Sequence, residues 1–143
     1  MLDIKADWEG NLENKTDITV KEIRNTRREA AKIVNLFWQK VENSHYNPDL
    51  VIFHGPFYDG LPDEYSSIEI TLVFSDPEFK WFRDSDELYE FALEAEGDYT
   101  IMPRILKVYD DKPNPDVIML LEKGAIVLQS EKGKTWTMPV NAK

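Results

Sequence analysis

The first clear pattern along the chain is an amphipathic helix that begins near residue 19. Thr19 and Glu22 match a capping box, in which each side chain bonds the backbone N–H of the other residue. Pro48 limits the other end, because proline cannot continue a helix. Apolar residues recur three or four positions apart, the spacing of one helix face, at Val20, Ile23, Ala30, Ala31, Val34, Phe37, Trp38 and Val41. We predict a helix over this segment, preceded by an irregular arm formed by residues 1–17.

Four later segments have the patterns of β-strands, which are short apolar or alternating runs bounded by turn-forming residues. These runs are Leu50–His54, Ser66–Phe74, Arg104–Tyr109 and Ala125–Gln129. Pro103 stands at the start of the third run, where a missing backbone donor has little effect. A loop rich in glycine, proline and aspartate, Gly55–Tyr65, joins the first two strands, which we expect to be neighbours in one sheet.

Two further helices and a last strand complete the prediction. Asp84 or Ser85 can cap a helix that continues to Glu96. Asn114 opens a short helix that Gly124 ends. The chain then turns at residues 130–133, and Thr135–Val140 returns as an edge strand.

This order of elements predicts an α/β or α+β fold, with one mixed β-sheet flanked by helices. We expect residues 18–143 to form a single domain, because 143 residues is a typical length for one hydrophobic core.

Composition narrows the classes of protein. The chain has no cysteine, which excludes disulfides and thiol chemistry. No apolar run approaches the roughly 18 residues of a membrane-spanning helix, and the acidic start is unlike a secretory signal. We therefore expect a soluble cytoplasmic protein that does not bind membranes.

Charge is unevenly distributed. The formal net charge is −10 at pH 7, and residues 58–98 carry 13 acidic and two basic residues. A surface rich in carboxylates repels phosphate groups, so non-specific nucleic-acid binding is not expected. The acidic stretch is either a solvated face or a site for a divalent cation or a basic partner.

The most informative spacing follows the first strand. Gly55 ends that strand, Gly60 lies five residues later, and Ser66 and Ile68 precede Glu69 in the next strand. This arrangement resembles the signature of the nucleotidyltransferase superfamily related to DNA polymerase beta. The similarity extends over residues 18–130, and the segment Tyr-Ser-Ser-Ile-Glu at residues 65–69 is most similar to the kanamycin-type nucleotidyltransferases. The resemblance implies a nucleotidyltransferase-like mixed sheet.

The resemblance also assigns a nucleotide-binding loop. In that family a glycine-serine loop holds the triphosphate through backbone N–H groups and the serine hydroxyl. The equivalent positions here are Gly55, Pro56, Gly60, Ser66 and Ser67. Pro56 has neither a backbone N–H nor a hydroxyl, so this loop lacks two of the expected donors.

Carboxylates form the metal site in that family. Two acids on the second strand and one on the third hold the Mg²⁺ ions that bridge the phosphates and the attacking hydroxyl. Glu69 is therefore the catalytic and metal-binding candidate, whereas Ser67 replaces the first acid and Ile105 lies near the third. Replacement ligands from the loop would be Asp63 or Glu64, or Asp59.

His54 ends the first strand beside Gly55 and has two interpretations. It is either a partly buried histidine whose ring is satisfied within the fold, or a residue that contacts a ligand.

The missing groups set the expected activity. Removing one preorganised group from an active site typically lowers the rate by about 10²–10³. Three such changes predict the loss of most catalysis. We expect a nucleotidyltransferase-like domain that has become a ligand- or protein-binding module and needs no cofactor.

Two other hypotheses remain open. One is an active Mg²⁺-dependent enzyme that moves a nucleotide monophosphate to a small hydroxylated acceptor. The other is an unrelated α/β domain that matches the signature by chance. The resemblance further implies a helical protein partner or a homo-oligomer, and a nucleotide or another small molecule as ligand.

Overall fold

The computed structural model describes residues 17–60, 62, 65–110 and 112–137. Helices and strands alternate along most of this part of the chain. The elements are α1 (Asp17–Glu42), β1 (Leu50–His54), α2 (Pro56–Asp59), β2 (Ile68–Phe74), α3 (Trp81–Ala95), β3 (Ile101–Lys107), α4 (Pro115–Leu121), β4 (Ala125–Gln129) and α5 (Glu131–Trp136). No helix in these ranges is both long and apolar enough to cross a membrane.

The strands form one mixed sheet in the order β3-β2-β1-β4. β1 is antiparallel to both of its neighbours, with Phe53 opposite Ile70 and Leu50 opposite Gln129. β2 and β3 run parallel and are joined through α3, as a parallel pair requires. The predicted mixed sheet flanked by helices is confirmed, and so is the prediction that the first two strands are neighbours.

The main core lies between one face of the sheet and the helices α1 and α3. Alternate strand residues such as Phe53, Ile70 and Leu72 point to this face, because side chains alternate along a strand. They pack against Phe37 of α1 and Leu88 of α3, all of them fully buried. This layer accounts for the apolar stripe of the first helix.

Within the described residues, α4 and α5 cover part of the opposite face. Leu50 and Ile52 of β1 and Val73 of β2 pack there against Val117 of α4 and Trp136 of α5. Beyond this smaller cluster, the same face continues towards the end of β1 and the edge strand β3, where its side chains are mostly polar.

Pro103 lies on the free edge of the sheet. Ile68 donates its backbone N–H to the carbonyl of Thr100, and Val108 donates to Phe74. The backbone of even-numbered residues in β3 therefore faces β2, and odd-numbered residues such as Pro103 face outwards. Pro103 is the third residue of β3 and not its start, and its missing N–H lies on the side of β3 where no strand of the described residues pairs.

Two helices begin earlier than predicted. α1 already includes Asp17, so Thr19 is a helical residue and not the N-cap, while the rest of the predicted arm lies outside the described residues. α3 begins at Trp81, because the Asp84 carboxylate accepts the backbone N–H of the N-cap residue Lys80 at 2.7 Å. Asp84 thus caps its helix from one turn inside.

Several other boundaries also differ from the prediction. β2 starts at Ile68 and β3 at Ile101, and the loop after β1 contains the short helix α2. The predicted strand over residues 135–140 is wrong where the structure describes it. Ser130 caps α5 by accepting the N–H of Gly133 at 3.1 Å, and α5 extends to the fully buried Trp136. Residues 138–140 lie outside the described residues.

Candidate functional site

A cleft of about 550 Å³ opens at the end of β1, between the polar half of the sheet face and α4. It is lined by His54, Gly55, Pro56, Asp59, Glu69, Met119, Leu120 and Lys123. Its volume is within the usual range for a small-molecule site. The cleft is therefore the candidate functional site.

Four of the predicted site residues line this cleft: Gly55, Pro56, Asp59 and Glu69. Gly60 and Ser66 do not line it, and the Ser67 hydroxyl is within 3.0 Å of the Thr100 hydroxyl. Of the three predicted replacement ligands, Asp59 is therefore at the cleft, whereas Asp63 and Glu64 lie outside the described residues.

Gly55 and Glu69 are in direct contact. Gly55 has φ +86° and ψ −171°, a conformation that essentially only glycine adopts. A Cβ on Gly55 would overlap Oε2 of Glu69, so the carboxylate lies against the glycine backbone. Pro56 follows as the first residue of α2 and has no N–H. The turn that would hold a triphosphate thus presents a carboxylate and lacks a donor.

The structure confirms the first interpretation of His54, a histidine whose ring is satisfied within the fold, while contact with a ligand stays a prediction. Its Nε2 lies 2.7 Å from the Thr71 hydroxyl, and the residue is buried. Burial lowers the pKa of His54 below its ordinary value of 6.5; Glu69 opposes this shift and Arg104 adds to it. His54 is held through one ring nitrogen by Thr71 and forms part of the cleft wall.

The register of the sheet corrects the position expected for the third acid. Ile105 pairs with Leu72 and is buried in the main core, on the face away from the cleft. Thr71, which shares a face with Glu69, pairs with Arg104. Arg104 therefore lies on the same sheet face as Glu69, whereas Ile105, the position predicted for the third acid, lies on the other face.

Sequence reasoning missed the α4 side of the cleft. Met119, Leu120 and Lys123 come from α4 and the turn after it. Gly124 makes this approach possible, because a Cβ there would lie 2.8 Å from the carbonyl oxygen of Phe53 and 2.9 Å from the His54 Cβ. The sequence predicts Gly124 only as the end of a helix; its position just before a strand is the signal that could have indicated the close approach.

The donor set does not fit a pair of Mg²⁺ ions. Magnesium requires near-octahedral oxygen coordination, and two-metal sites share several carboxylates. Of the described residues, Asp59 and Glu69 are the carboxylates that line the cleft, and no group of three or more histidine, aspartate or glutamate side chains there could hold a metal. Arg104 on the same sheet face adds positive charge.

The fold and the cleft together define an α+β domain with a mixed sheet and a candidate ligand site at the end of its central antiparallel pair. Searches with protein-family models and against curated proteins and solved structures give no match for this chain. The nucleotidyltransferase resemblance accordingly rests on the residues described above.

Proposed function

We propose that this chain is a cytoplasmic nucleotidyltransferase-like domain that has lost metal-dependent nucleotide transfer and binds a small molecule in the cleft. The observation that carries this proposal is the contact between Glu69 and the backbone of Gly55, followed directly by Pro56. A triphosphate at this turn would meet a carboxylate and would lack the N–H and the hydroxyl that Pro56 cannot supply.

The order and pairing of the elements support the family part of the proposal. β1, the turn at Gly55 and the antiparallel β2 bring the two ends of the signature to one cleft, although 14 positions separate Gly55 from Glu69.

The residues around Glu69 support the loss of transfer. Ser67 is neutral and lies within hydrogen-bonding distance of Thr100, and Arg104 occupies the cleft side of β3. Each lost preorganised group typically lowers the rate by about 10²–10³, although such losses are not strictly multiplicative. The proposed domain needs no metal cofactor for binding.

The lining indicates the kind of ligand. Pro56, Met119 and Leu120 supply apolar surface, Asp59 and Glu69 supply acceptors, and Lys123 adds one cation. A fitting ligand is a small molecule with an apolar body and hydroxyl or amine donors directed at the two carboxylates. Free triphosphates do not meet this description.

One observation favours the active enzyme as a second candidate. Asp59 lines the same cleft as Glu69, so two carboxylates are available to a single Mg²⁺. In that case the domain would bind Mg²⁺ and a nucleoside triphosphate and transfer a nucleotide monophosphate to a small hydroxylated acceptor.

Pyrophosphate release separates the two candidates. The chain is incubated with each nucleoside triphosphate, MgCl₂ and a panel of hydroxylated acceptors, and we expect no release above background. Release that disappears in Glu69→Gln and persists in the exposed control Glu96→Gln would establish the enzyme.

Ligand binding is tested separately by ligand-observed NMR, with a panel of small neutral and cationic compounds. We expect some compounds to show a binding signal with the wild type and none with Met119→Glu, because this change places a charge on the apolar wall of the cleft. The same compounds should still bind to Ile126→Glu, which alters an exposed residue outside the cleft lining. A panel without any compound of this behaviour would contradict the binding proposal.

A further inference from the structure

The outer flank of α3 carries a row of exposed apolar side chains. Phe82, Tyr89 and Leu93 are separated by seven and four positions, so they lie on one face of the helix. Their exposed fractions are 89%, 36% and 66%. The buried side of α3 is a different face, formed by residues such as Leu88 and Ala92. We call Phe82, Tyr89 and Leu93 the α3 stripe.

Acidic residues accompany the stripe. Asp86 lies one turn from both Phe82 and Tyr89, and Glu90 lies three positions before Leu93. Arg83 is the basic residue of α3, and both its Nε and its Nη2 donate to the Asp84 carboxylate, at 2.8 and 3.0 Å. The surface around the stripe is therefore apolar with a negative border.

A second copy of the chain fits this surface poorly. A twofold axis through the stripe would place Asp86 and Glu90 near the same acids of the second copy. Each copy would also carry a net charge of −10.

We propose that the α3 stripe is a docking surface for a basic amphipathic helix of a partner protein. The apolar face of such a helix would cover Phe82, Tyr89 and Leu93, and its flanking lysines or arginines would meet Asp86 and Glu90. At about 1.5 Å per residue, the 15 residues of α3 give a surface of roughly 22 Å, which matches a partner helix of four turns. This proposal does not depend on the function of the cleft.

The test uses a synthetic peptide as the probe. An 18-residue fluorescent peptide with leucines on one helical face and lysines beside them is titrated with the full chain, and anisotropy is measured. The control peptide has glutamate at every lysine position. We expect the lysine peptide to bind at least tenfold more tightly, with an affinity that falls as salt is added.

Matched variants locate the binding surface. Phe82→Ser with Leu93→Ser should weaken binding of the lysine peptide at least tenfold. The control pair Tyr109→Ser with Ile126→Ser, at residues 87% and 47% exposed outside α3, should change it less than twofold. Equal losses in the two pairs, or no loss in the stripe variant, would overturn the proposal.

Charge reversal gives an independent test if the stripe variant does not fold. Asp86→Lys with Glu90→Lys should reverse the preference, so that the glutamate peptide binds more tightly than the lysine peptide. An unchanged preference would overturn the proposal. The proposal would also be overturned if sedimentation showed a dimer of the wild type that is lost in the stripe variant. That result would assign the surface to a second copy of the chain.

Discussion

At the scale of single residues, the contact between Gly55 and Glu69 makes the sharpest prediction. Gly55→Ala should destabilise the protein by about 1–3 kcal/mol, because alanine is strained at this φ and ψ. Its Cβ would also displace the Glu69 carboxylate.

Urea denaturation of Gly55→Ala in the wild-type and Glu69→Ala backgrounds separates the backbone strain from the contact with Glu69. The overlap should vanish without Glu69, while the backbone strain remains. Equal losses in both backgrounds would show that the contact with Glu69 adds nothing.

His54 gives the folded state a pH dependence. Burial lowers the pKa of His54 below 6.5, with Glu69 opposing the shift. The unfolded chain therefore binds a proton at higher pH than the folded protein does. The contribution of His54 to the free energy of unfolding is complete above about pH 6.5 and is lost as pH falls through the folded-state pKa of His54.

The variant His54→Gln should flatten this part of the stability curve. The free energy of unfolding is measured in urea from pH 8 to pH 5, and the difference between wild type and variant isolates His54 from the carboxylates. We expect the difference to shift in favour of the variant as pH falls. A difference that stays constant over this range would show that His54 has the same pKa in the folded and unfolded states.

At the scale of elements, Asp49 joins the ends of three strands and α5. Its carboxylate accepts the hydroxyls of Ser75 at 2.6 Å and Ser130 at 2.9 Å. Its backbone N–H donates to Val73, and its carbonyl accepts the N–H of Ser130, both at 2.8 Å. Ser130 in turn caps α5, so Asp49 positions that helix.

Asp49→Ala should therefore lower the free energy of unfolding by about 1–3 kcal/mol, because two hydroxyls lose a charged acceptor. The exposed Asp98→Ala is the control and should stay within about 0.5 kcal/mol of wild type. Both are measured as urea midpoints at constant m-value. A loss no larger than that of the control would mean that the hydroxyls find equivalent partners.

The hydrophobic pattern of a segment predicts those elements whose formation depends on that segment alone. Apolar runs with clear ends gave β1 and β4 their observed limits, Leu50–His54 and Ala125–Gln129. α5 was missed because a six-residue helix is not stable on its own and depends on distant contacts. One such contact is the hydrogen bond from the Trp136 indole to the Asp110 carbonyl at 2.9 Å. Hydrophobic periodicity along the chain cannot predict that hydrogen bond.

The same limit explains the outcome for the site. Gly55, Pro56 and Glu69 were placed together because one antiparallel pair and its turn contain all three. Lys123 could not be placed, since it reaches the cleft through a close approach of Gly124 to β1. Ile105 was assigned by counting along the chain, whereas its side follows from pairing with β2. Register across strands requires the tertiary structure.

At the scale of the whole molecule, metal binding would be visible as a change in stability. A metal present at 100 times its dissociation constant would stabilise the fold by about 2.7 kcal/mol. For a domain of this length that corresponds to roughly 5 °C or more. Because the donors present do not fit the two-metal arrangement, we expect millimolar Mg²⁺ or Mn²⁺ to leave the thermal midpoint nearly unchanged. The midpoint is measured by calorimetry with and without the ion.

The outcome has a direct control. A shift of that size which Glu69→Gln abolishes and Glu96→Gln preserves would establish a metal centre at the cleft, and the active-enzyme hypothesis would then lead. To give the cleft the acids that the family's metal site contains, Ser67→Asp is combined with Arg104→Asp. An acid at Ile105 would instead be buried in the core. This double variant should acquire a metal-dependent midpoint.

The strand order also has a consequence for the order of folding. β1 pairs with β2 about 20 residues along the chain, but Leu50 pairs with Gln129, 79 positions away. Closing a longer chain segment costs more entropy, so β4 should join the sheet after the transition state has formed. Val127→Ala, which shortens a partly buried side chain of β4, should then accelerate unfolding and leave the folding rate almost unchanged. Ile70→Val in β2 should slow folding, and stopped-flow chevron plots distinguish the effects of the two variants.

Until β4 joins the sheet, β1 is a sheet edge without a proline to protect it. The nascent chain is therefore most prone to misassociate before residue 125 is made.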